Sequence, residues 1–128
     1  MGQTYFQNET ARIWIDGGIL FFEYQPHTAL TLKNSREVVA ARLALQENKS
    51  YPIFCDIRGI VAIDKQARDY LAKQGSVLAK AVSSLALEPV STSIVEFYIQ
   101  TSKPRIPTKL FTNKFLALQF LEPYIDKL

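Results

Sequence analysis

The chain has 128 residues, of which 48% are hydrophobic and 12% aromatic, as expected for one globular domain rather than a disordered chain. Its net charge of +3 comes from basic residues scattered along the sequence, so we predict no nucleic-acid partner. The single cysteine, Cys55, excludes an internal disulfide, and no apolar run approaches the roughly 18 residues that span a bilayer. "MGQTYFQNET" lacks the pattern of a secretory signal, and we therefore predict a soluble, cytoplasmic protein.

The N-terminal part of the chain predicts two antiparallel strands. Residues 1–9 are polar and without a clear period, so we treat them as a tail or sheet edge before a single domain at 10–128. The runs "ARIWID" and "ILFFEY" flank Asp16-Gly17-Gly18, a strong hairpin signal because glycine adopts positive φ without steric cost. In the first run, Ile13 and Ile15 fall on the face opposite Arg12 and Trp14.

The middle of the chain alternates helical and strand patterns. "NSREVVAARLALQEN" predicts a helix capped by Asn34, with Glu37 as the capping-box acid and Val38 and Leu45 on its inner side. "YPIFCDI" predicts a short strand. Asp64 is then the predicted N-cap of "KQARDYLAKQ", a helix that stops at Gly75 unless "SVLAK" adds one turn.

The last part of the chain continues this alternation. "AVSSLALE", residues 81–88, is ambiguous by period, but its length favours a buried strand. "VSTSIVEFYIQTS" has strand propensity, yet we predict a helix from Ser91 or Thr92 because the topology needs a crossover there. "PTKLF" predicts a strand, and Thr112 is the predicted cap of a final helix. The apolar stripe of that helix is Phe115, Leu118, Leu121, Ile125 and Leu128.

The predicted order is therefore β-β-α-β-α-β-α-β-α. Strands that alternate with helices predict an α/β fold with a mostly parallel sheet, right-handed crossovers and a covering of helices. Only the N-terminal hairpin adds an antiparallel pair.

The segment "DIRGIVAIDKQAR", which begins at Asp56, resembles the signature of the STAS domains, the SpoIIAA-like anti-sigma-factor antagonists. Their pattern is Asp-Leu-Ser-Gly-Val, two further residues, an apolar residue, then Asp-Ser-Ser-Gly-Leu. The chain matches it at Asp56, Ile57, Gly59 and Asp64, and it keeps apolar residues at Ile60 and Ile63. The resemblance implies the SpoIIAA-like fold and a non-catalytic, regulatory role in protein binding.

The chain departs from this pattern at the residues that would carry regulation. The family's two serines, one of which is phosphorylated to release the partner, fall on Lys65 and Gln66, and Arg58 replaces a small polar residue. The resemblance therefore implies that the phosphorylation switch is absent here. Lys65 also places a positive charge at a helix N-terminus, which is mildly unfavourable unless an anion lies nearby.

A second stretch, "KPRIPTKLFT", makes the chain similar to short, mostly uncharacterised bacterial STAS-like proteins. These are discussed beside the CRAL-TRIO lipid-binding domains, which motivates an alternative function as a binding protein for a small hydrophobic or anionic ligand. Trp14, Phe22 and Tyr98 could line its cavity, whose expected volume is roughly 300 Å³ or more.

Binding groups in such a sheet gather beyond the carboxyl ends of its strands. The candidate residues for binding a partner or ligand are His27, Asp56, Arg58, Asp64, Lys65 and Gln66. Simpler structural roles for these and neighbouring residues compete with a role in binding. Asp64, Ser91 and Thr112 are ordinary caps worth about 1 kcal/mol each, and His27 is a surface loop histidine. Lys103, Arg105 and Lys109 form a solvated basic loop.

We identify no catalytic residues, metal ligands or cofactor site. Asp56 and Asp64 could form an acid/base pair only if a turn brought them together, and the further acids of glycosidase or metal sites are missing. Cys55 is predicted to pack in the core as a small hydrophobe. The main prediction is thus a non-catalytic interaction module that binds a protein partner or a second copy of itself.

Overall fold

The computed structural model describes residues 4–87 and 106–126. The strands are β1 (Tyr5–Gln7), β2 (Ala11–Asp16), β3 (Ile19–Tyr24), β4 (Thr28–Leu30), β5 (Tyr51–Asp56), β6 (Ile60–Ile63), β7 (Ala79–Leu85) and β8 (Thr108–Phe111). The helices are α1 (Leu32–Gln46), α2 (Lys65–Gln74) and α3 (Lys114–Leu121), and a 3-10 turn follows at Glu122–Tyr124. In this part of the chain, six strands form one sheet in the order β1-β2-β3-β5-β7-β8, and β4 pairs with β6 separately.

The N-terminal hairpin is confirmed. Strands β2 and β3 are antiparallel, and Asp16 lies opposite Ile19, so the turn consists of two residues. Gly17 and Gly18 have φ angles of 60° and 83°, which matches the positive φ at both central positions of a type I′ turn. Strand β1 extends the hairpin at the edge of the sheet.

The central strands are parallel, as predicted. Strand β5 lies between β3 and β7, and β8 follows β7 on the far side. Helix α1 connects β4 to β5, and α2 connects β6 to β7. The helix predicted from Ser91 or Thr92 falls between β7 and β8 and lies outside the described residues.

Apolar side chains cover both faces of the sheet. On one face, Ile13, Phe22 and Ile53 pack with Val38 of α1. On the other face, the core cluster contains Phe54, Leu85, Ala117 and Leu121, the last two from α3. The parallel strands are therefore buried on both sides, as is usual in α/β folds.

The first helix begins earlier than predicted. Thr31 is its N-cap, and its side chain accepts a hydrogen bond from the Asn34 amide at 3.2 Å. The Asn34 side chain accepts in return from the Thr31 amide at 2.8 Å, so Asn34 completes the capping box. The prediction that Asn34 caps the helix with Glu37 as the box acid was wrong, because Thr31 and Asn34 satisfy these donors one turn earlier.

The predicted limits of the second helix are confirmed. Asp64 caps α2 by accepting from the Ala67 amide at 2.8 Å, and the Gly75 amide donates to the Leu71 carbonyl at the C-terminus. "SVLAK" adds no further helix, because the chain turns through Leu78, whose φ is 57°, and β7 begins at Ala79.

The predicted start of the last helix was wrong, and its predicted apolar stripe is confirmed in part. Asn113, rather than Thr112, is the cap, since its side chain accepts from the Leu116 amide at 3.0 Å. Phe115 is 71% exposed, whereas Leu118, Leu121 and Ile125 of the predicted stripe pack in the core on this side of the sheet. Pro123 ends the α-helix and starts a 3-10 turn, so Ile125 contacts the core from beyond the helix. Leu128 lies outside the described residues.

Two short strands were not predicted. Residues 60–63 form β6, which pairs in parallel with β4. The loops before these strands approach closely, since the Thr28 amide donates to the Gly59 carbonyl at 2.9 Å. A Cβ atom at Gly59 would lie 2.2 Å from the Gln25 carbonyl oxygen, so only glycine fits there.

We expect Gly59→Ala to lower the free energy of unfolding by about 2 kcal/mol or more, because backbone atoms must move to admit the methyl group. Gly17→Ala is the matched control. Nothing lies within 4 Å of its added Cβ, and only the positive φ opposes it, at a cost of about 1 kcal/mol. Urea unfolding followed by circular dichroism measures both. Equal losses of unfolding free energy in the two variants would show that the backbone contact at Gly59 leaves room for a methyl group.

Candidate functional site

Three of the predicted site residues meet where the loop before β4 contacts the turn before β6. The register pairs Thr28 with Ile60, which places His27 beside the turn that holds Arg58. His27 is exposed and has a φ of 62°, so it is a surface loop histidine as predicted. Asp56 ends β5 directly before this turn.

Asp56 and Arg58 form a bidentate ion pair. The Arg58 Nε donates to Asp56 Oδ1 at 2.9 Å, and Nη2 donates to Oδ2 at 2.7 Å. The Arg58 amide also donates to Oδ1, at 3.1 Å. Asp56 is only 4% exposed, whereas the Arg58 side chain is 46% exposed. A buried carboxylate therefore holds an accessible guanidinium in one orientation.

The surrounding charges favour the cationic form of Arg58. Its pKa is raised chiefly by the hydrogen bond to Asp56, with a further contribution from Glu23. Glu23 lies opposite Asp56 in the register of β3 and β5 and forms its own ion pair with Arg12. The carboxylates of Glu23 and Asp56 are thus neighbours across these strands, and each is paired with an arginine.

The start of α2 carries the remaining candidates. Besides capping the helix, Asp64 donates its amide to the Leu30 carbonyl at 3.1 Å. The Lys65 Nζ atom lies 2.8 Å from Asp69 Oδ2 one turn later, and this contact lowers the pKa of Asp69. The Asp69 carboxylate is therefore the nearby anion that offsets the positive charge of Lys65 at the helix N-terminus. Gln66 is exposed.

Strand β6 separates the two halves of the site. Its four residues lie between the turn at Arg58 and the cap at Asp64, and a strand rises about 3.3 Å per residue. Asp56 is engaged by Arg58 and Asp64 by the Ala67 amide, at opposite ends of this strand. Val61, on β6 itself, is 56% exposed and was missed. We name the exposed set His27, Arg58, Val61, Lys65 and Gln66 the β6 surface.

A cavity of about 140 Å³ lies beneath helices α1 and α2. Most of its wall is apolar, with Phe22, Leu30, Ile53, Ile57, Ile60 and Leu71 among the lining residues. The predicted volume of roughly 300 Å³ was wrong, because the sheet and helices leave only about half of that space.

Arg42 is a buried cation at the wall of this cavity. Its guanidinium donates to the Val77 carbonyl at 2.9 Å and the Gln74 carbonyl at 3.1 Å, and it also contacts the Gln46 side chain. The α2 C-terminus carries partial negative charge, which favours a cation there. A signal for this residue is present in the sequence, since Val38, Arg42 and Leu45 share one helical stripe.

Cys55 lines the same cavity and is half-buried. Burial raises the pKa of its thiol to about 12, and the neighbouring Asp56 charge acts in the same direction. The thiol therefore stays protonated near neutral pH. It serves as part of an apolar wall rather than as a nucleophile.

The other aromatic and basic candidates have separate places. Trp14 stacks on Phe21 with ring centroids 5.2 Å apart, on the opposite face of the sheet from the cavity, whereas Phe22 lines the cavity. Lys109 is exposed and lies over the Phe111 ring. Tyr98, Lys103 and Arg105 lie outside the described residues.

The described residues contain neither a metal-binding group nor a membrane-spanning helix. None of their His, Cys, Asp and Glu side chains form a group of three suited to a metal ion. In the same part of the chain, no helix is both long and apolar enough to cross a membrane.

We expect Arg58→Ala to lower the free energy of unfolding by about 2 kcal/mol, because it leaves the buried Asp56 carboxylate without its charged partner. Arg12→Ala removes the more exposed partner of Glu23 and is expected to cost much less. Urea titrations of both variants measure the difference. Equal losses would contradict a special role for burial of Asp56.

We expect the Cys55 thiol to react slowly with a disulfide reagent at pH 8. A pKa of about 12 in the folded chain, against 9.0 for an ordinary thiol, leaves roughly a thousandth as much thiolate. The rate in the native protein, compared with that in 8 M urea, tests this. A native rate within tenfold of the unfolded rate would show that the thiol is not shielded.

Comparison with known proteins agrees with this architecture. A solved structure, that of an uncharacterized protein from the DUF3478 family with a SpoIIAA-like fold from Shewanella loihica PV-4, has a TM-score of 0.61 to this chain. The two share 14% sequence identity over 87% of this chain and 91% of that one. The predicted SpoIIAA-like α/β fold is therefore confirmed. No curated protein matches the chain.

A family model matches at the level of sequence. It is described as "Domain of unknown function (DUF7793)" and covers residues 13–125, from β2 to the end of the last helical turn. Neither this description nor that of the solved structure indicates a catalytic family. The chain belongs to the DUF7793 family.

Proposed function

We propose that the chain is a non-catalytic interaction module whose β6 surface binds a protein partner or a second copy of the chain. The observation that carries this proposal is the fixed orientation of Arg58. Its guanidinium is accessible to a partner, yet the two hydrogen bonds that it donates to a buried carboxylate hold it in place.

Such pre-organisation favours binding. A long side chain that is already ordered loses little conformational entropy when a partner contacts it. Arginine is also enriched among the residues that dominate interface energies. Val61 adds an exposed apolar contact between Arg58 and the basic Lys65. A partner surface that combines carboxylates with an apolar side chain would complement this arrangement.

The site supports regulation of a different kind from that of the phosphorylated relatives. Lys65 and Gln66 occupy the positions that correspond to the family's serines, and neither has a hydroxyl group. Control of binding would then come from partner concentration or partner chemistry. The carboxylates of Asp56 and Asp64 are both engaged in structural bonds, which favours a non-catalytic role.

We expect Val61→Glu and Lys65→Glu each to reduce partner binding at least tenfold, because they place negative charge where an acidic, partly apolar surface would dock. The measurement is affinity capture from lysate of the source organism, with quantitative mass spectrometry of the recovered proteins. Self-association is followed in parallel by sedimentation velocity of the purified chain.

Lys73→Glu is the matched control. It makes the same charge reversal on the same helix, but at the opposite end of α2 from Lys65. We expect binding of a specific partner, or formation of a dimer, to be lost in both β6-surface variants and retained in the Lys73→Glu control. If every associated protein is retained by Val61→Glu and Lys65→Glu, the β6 surface is not the binding face.

A further inference from the structure

We propose that the cavity beneath α1 and α2 is a binding site for one small, neutral, apolar molecule, no larger than a single aromatic ring. This site goes beyond the interaction function proposed for the β6 surface. It is formed by the inner side of the fold, and its test does not depend on a protein partner.

The volume sets the size of the ligand. The cavity measures about 140 Å³. An apolar cavity of about 150 Å³ in another protein stays dry and binds benzene or xenon. A single six-membered ring therefore fits, whereas two fused rings exceed the space.

The wall sets the chemistry. Aliphatic and aromatic carbon dominates the lining, through residues such as Leu30, Ile53 and Ile57. Two polar side chains at the wall are directed to the backbone: Arg42 donates to two carbonyls, and Thr108 Oγ1 donates to the Ile106 carbonyl at 3.0 Å. A ligand with a charge would lose its hydration on entering this apolar space, so a neutral molecule is favoured.

The lining residues divide by exposure into a floor and a rim. Phe22, Ile53 and Ile57 are buried and form the floor. The half-buried lining residues form the rim from which a ligand enters, and they include Ile63, Leu71, Ser76, Val82, Ile106 and Thr108.

The experiment is a titration of methyl-labelled protein with benzene, followed by NMR. We expect saturable shifts of the Ile53, Ile57 and Ile60 methyl signals, with no change at Ile19 on the opposite face of the sheet. Naphthalene, which is too large, and benzoate, which is charged, are expected to give no saturable shifts at the same concentrations. The absence of shifts with benzene up to its aqueous solubility would overturn the proposal. So would binding of naphthalene and benzoate that is as strong as that of benzene.

A cavity-filling variant tests the location. Val82→Phe adds a ring at a lining position and is expected to weaken benzene binding at least tenfold. Ser84→Val, at a second lining position, serves the same purpose if the first variant does not fold. Ser83→Ala is the control, because Ser83 lies between Ala81 and Leu85, whose side chains pack on the α3 side. Binding that survives in the filled variants would place the ligand elsewhere and refute the site.

Discussion

The arrangement of the helices over the sheet depends on a buried polar bridge between α1 and the turn that follows α2. Arg42 donates to the Gln74 and Val77 carbonyls, and Gln46 Nε2 donates to the Lys49 and Leu78 carbonyls. Both side chains are almost fully buried, so breaking these bonds would leave desolvated polar groups at a cost of about 1–3 kcal/mol each. The bridge therefore fixes the distance between the two helices more firmly than apolar contact alone would.

This constraint explains two features that local preferences oppose. Leu78 has a positive φ, which costs a non-glycine residue about 1–2 kcal/mol. Its carbonyl nevertheless accepts from both the Gln46 side chain and the Tyr51 amide, so the turn is held from two sides. The cavity persists for a related reason. Collapse of α2 onto the sheet would close the void, but it would also pull the Gln74 and Val77 carbonyls away from Arg42.

The sequence predicts most of the larger elements because their signals are local. Asp16-Gly17-Gly18 specifies its turn, and Asp64 and Gly75 mark the ends of α2, through bonds to residues within four positions. Strands β4 and β6 have only three and four residues and exist because segments about thirty residues apart meet, so no local pattern indicated them. The candidate residues at Asp56 and Arg58 could be named from spacing and resemblance. Their bidentate geometry, the exposure of Val61 and the cavity volume all depend on packing, which spacing does not specify.

Strand β6 connects the inner and outer sides of this region. Ile60 and Ile63 line the cavity, while Val61 between them is exposed on the β6 surface. Among residues 4–87 and 106–126, this strand pairs with the three residues of β4 alone, so its described backbone bonds are few compared with those of the central sheet. Its position therefore depends on the side chains packed beneath it and on the backbone hydrogen bonds at its two ends. The Thr28 amide donates to the Gly59 carbonyl at one end, and the Asp64 amide donates to the Leu30 carbonyl at the other. The shape that a partner meets at the β6 surface is therefore set in part by how the cavity wall packs.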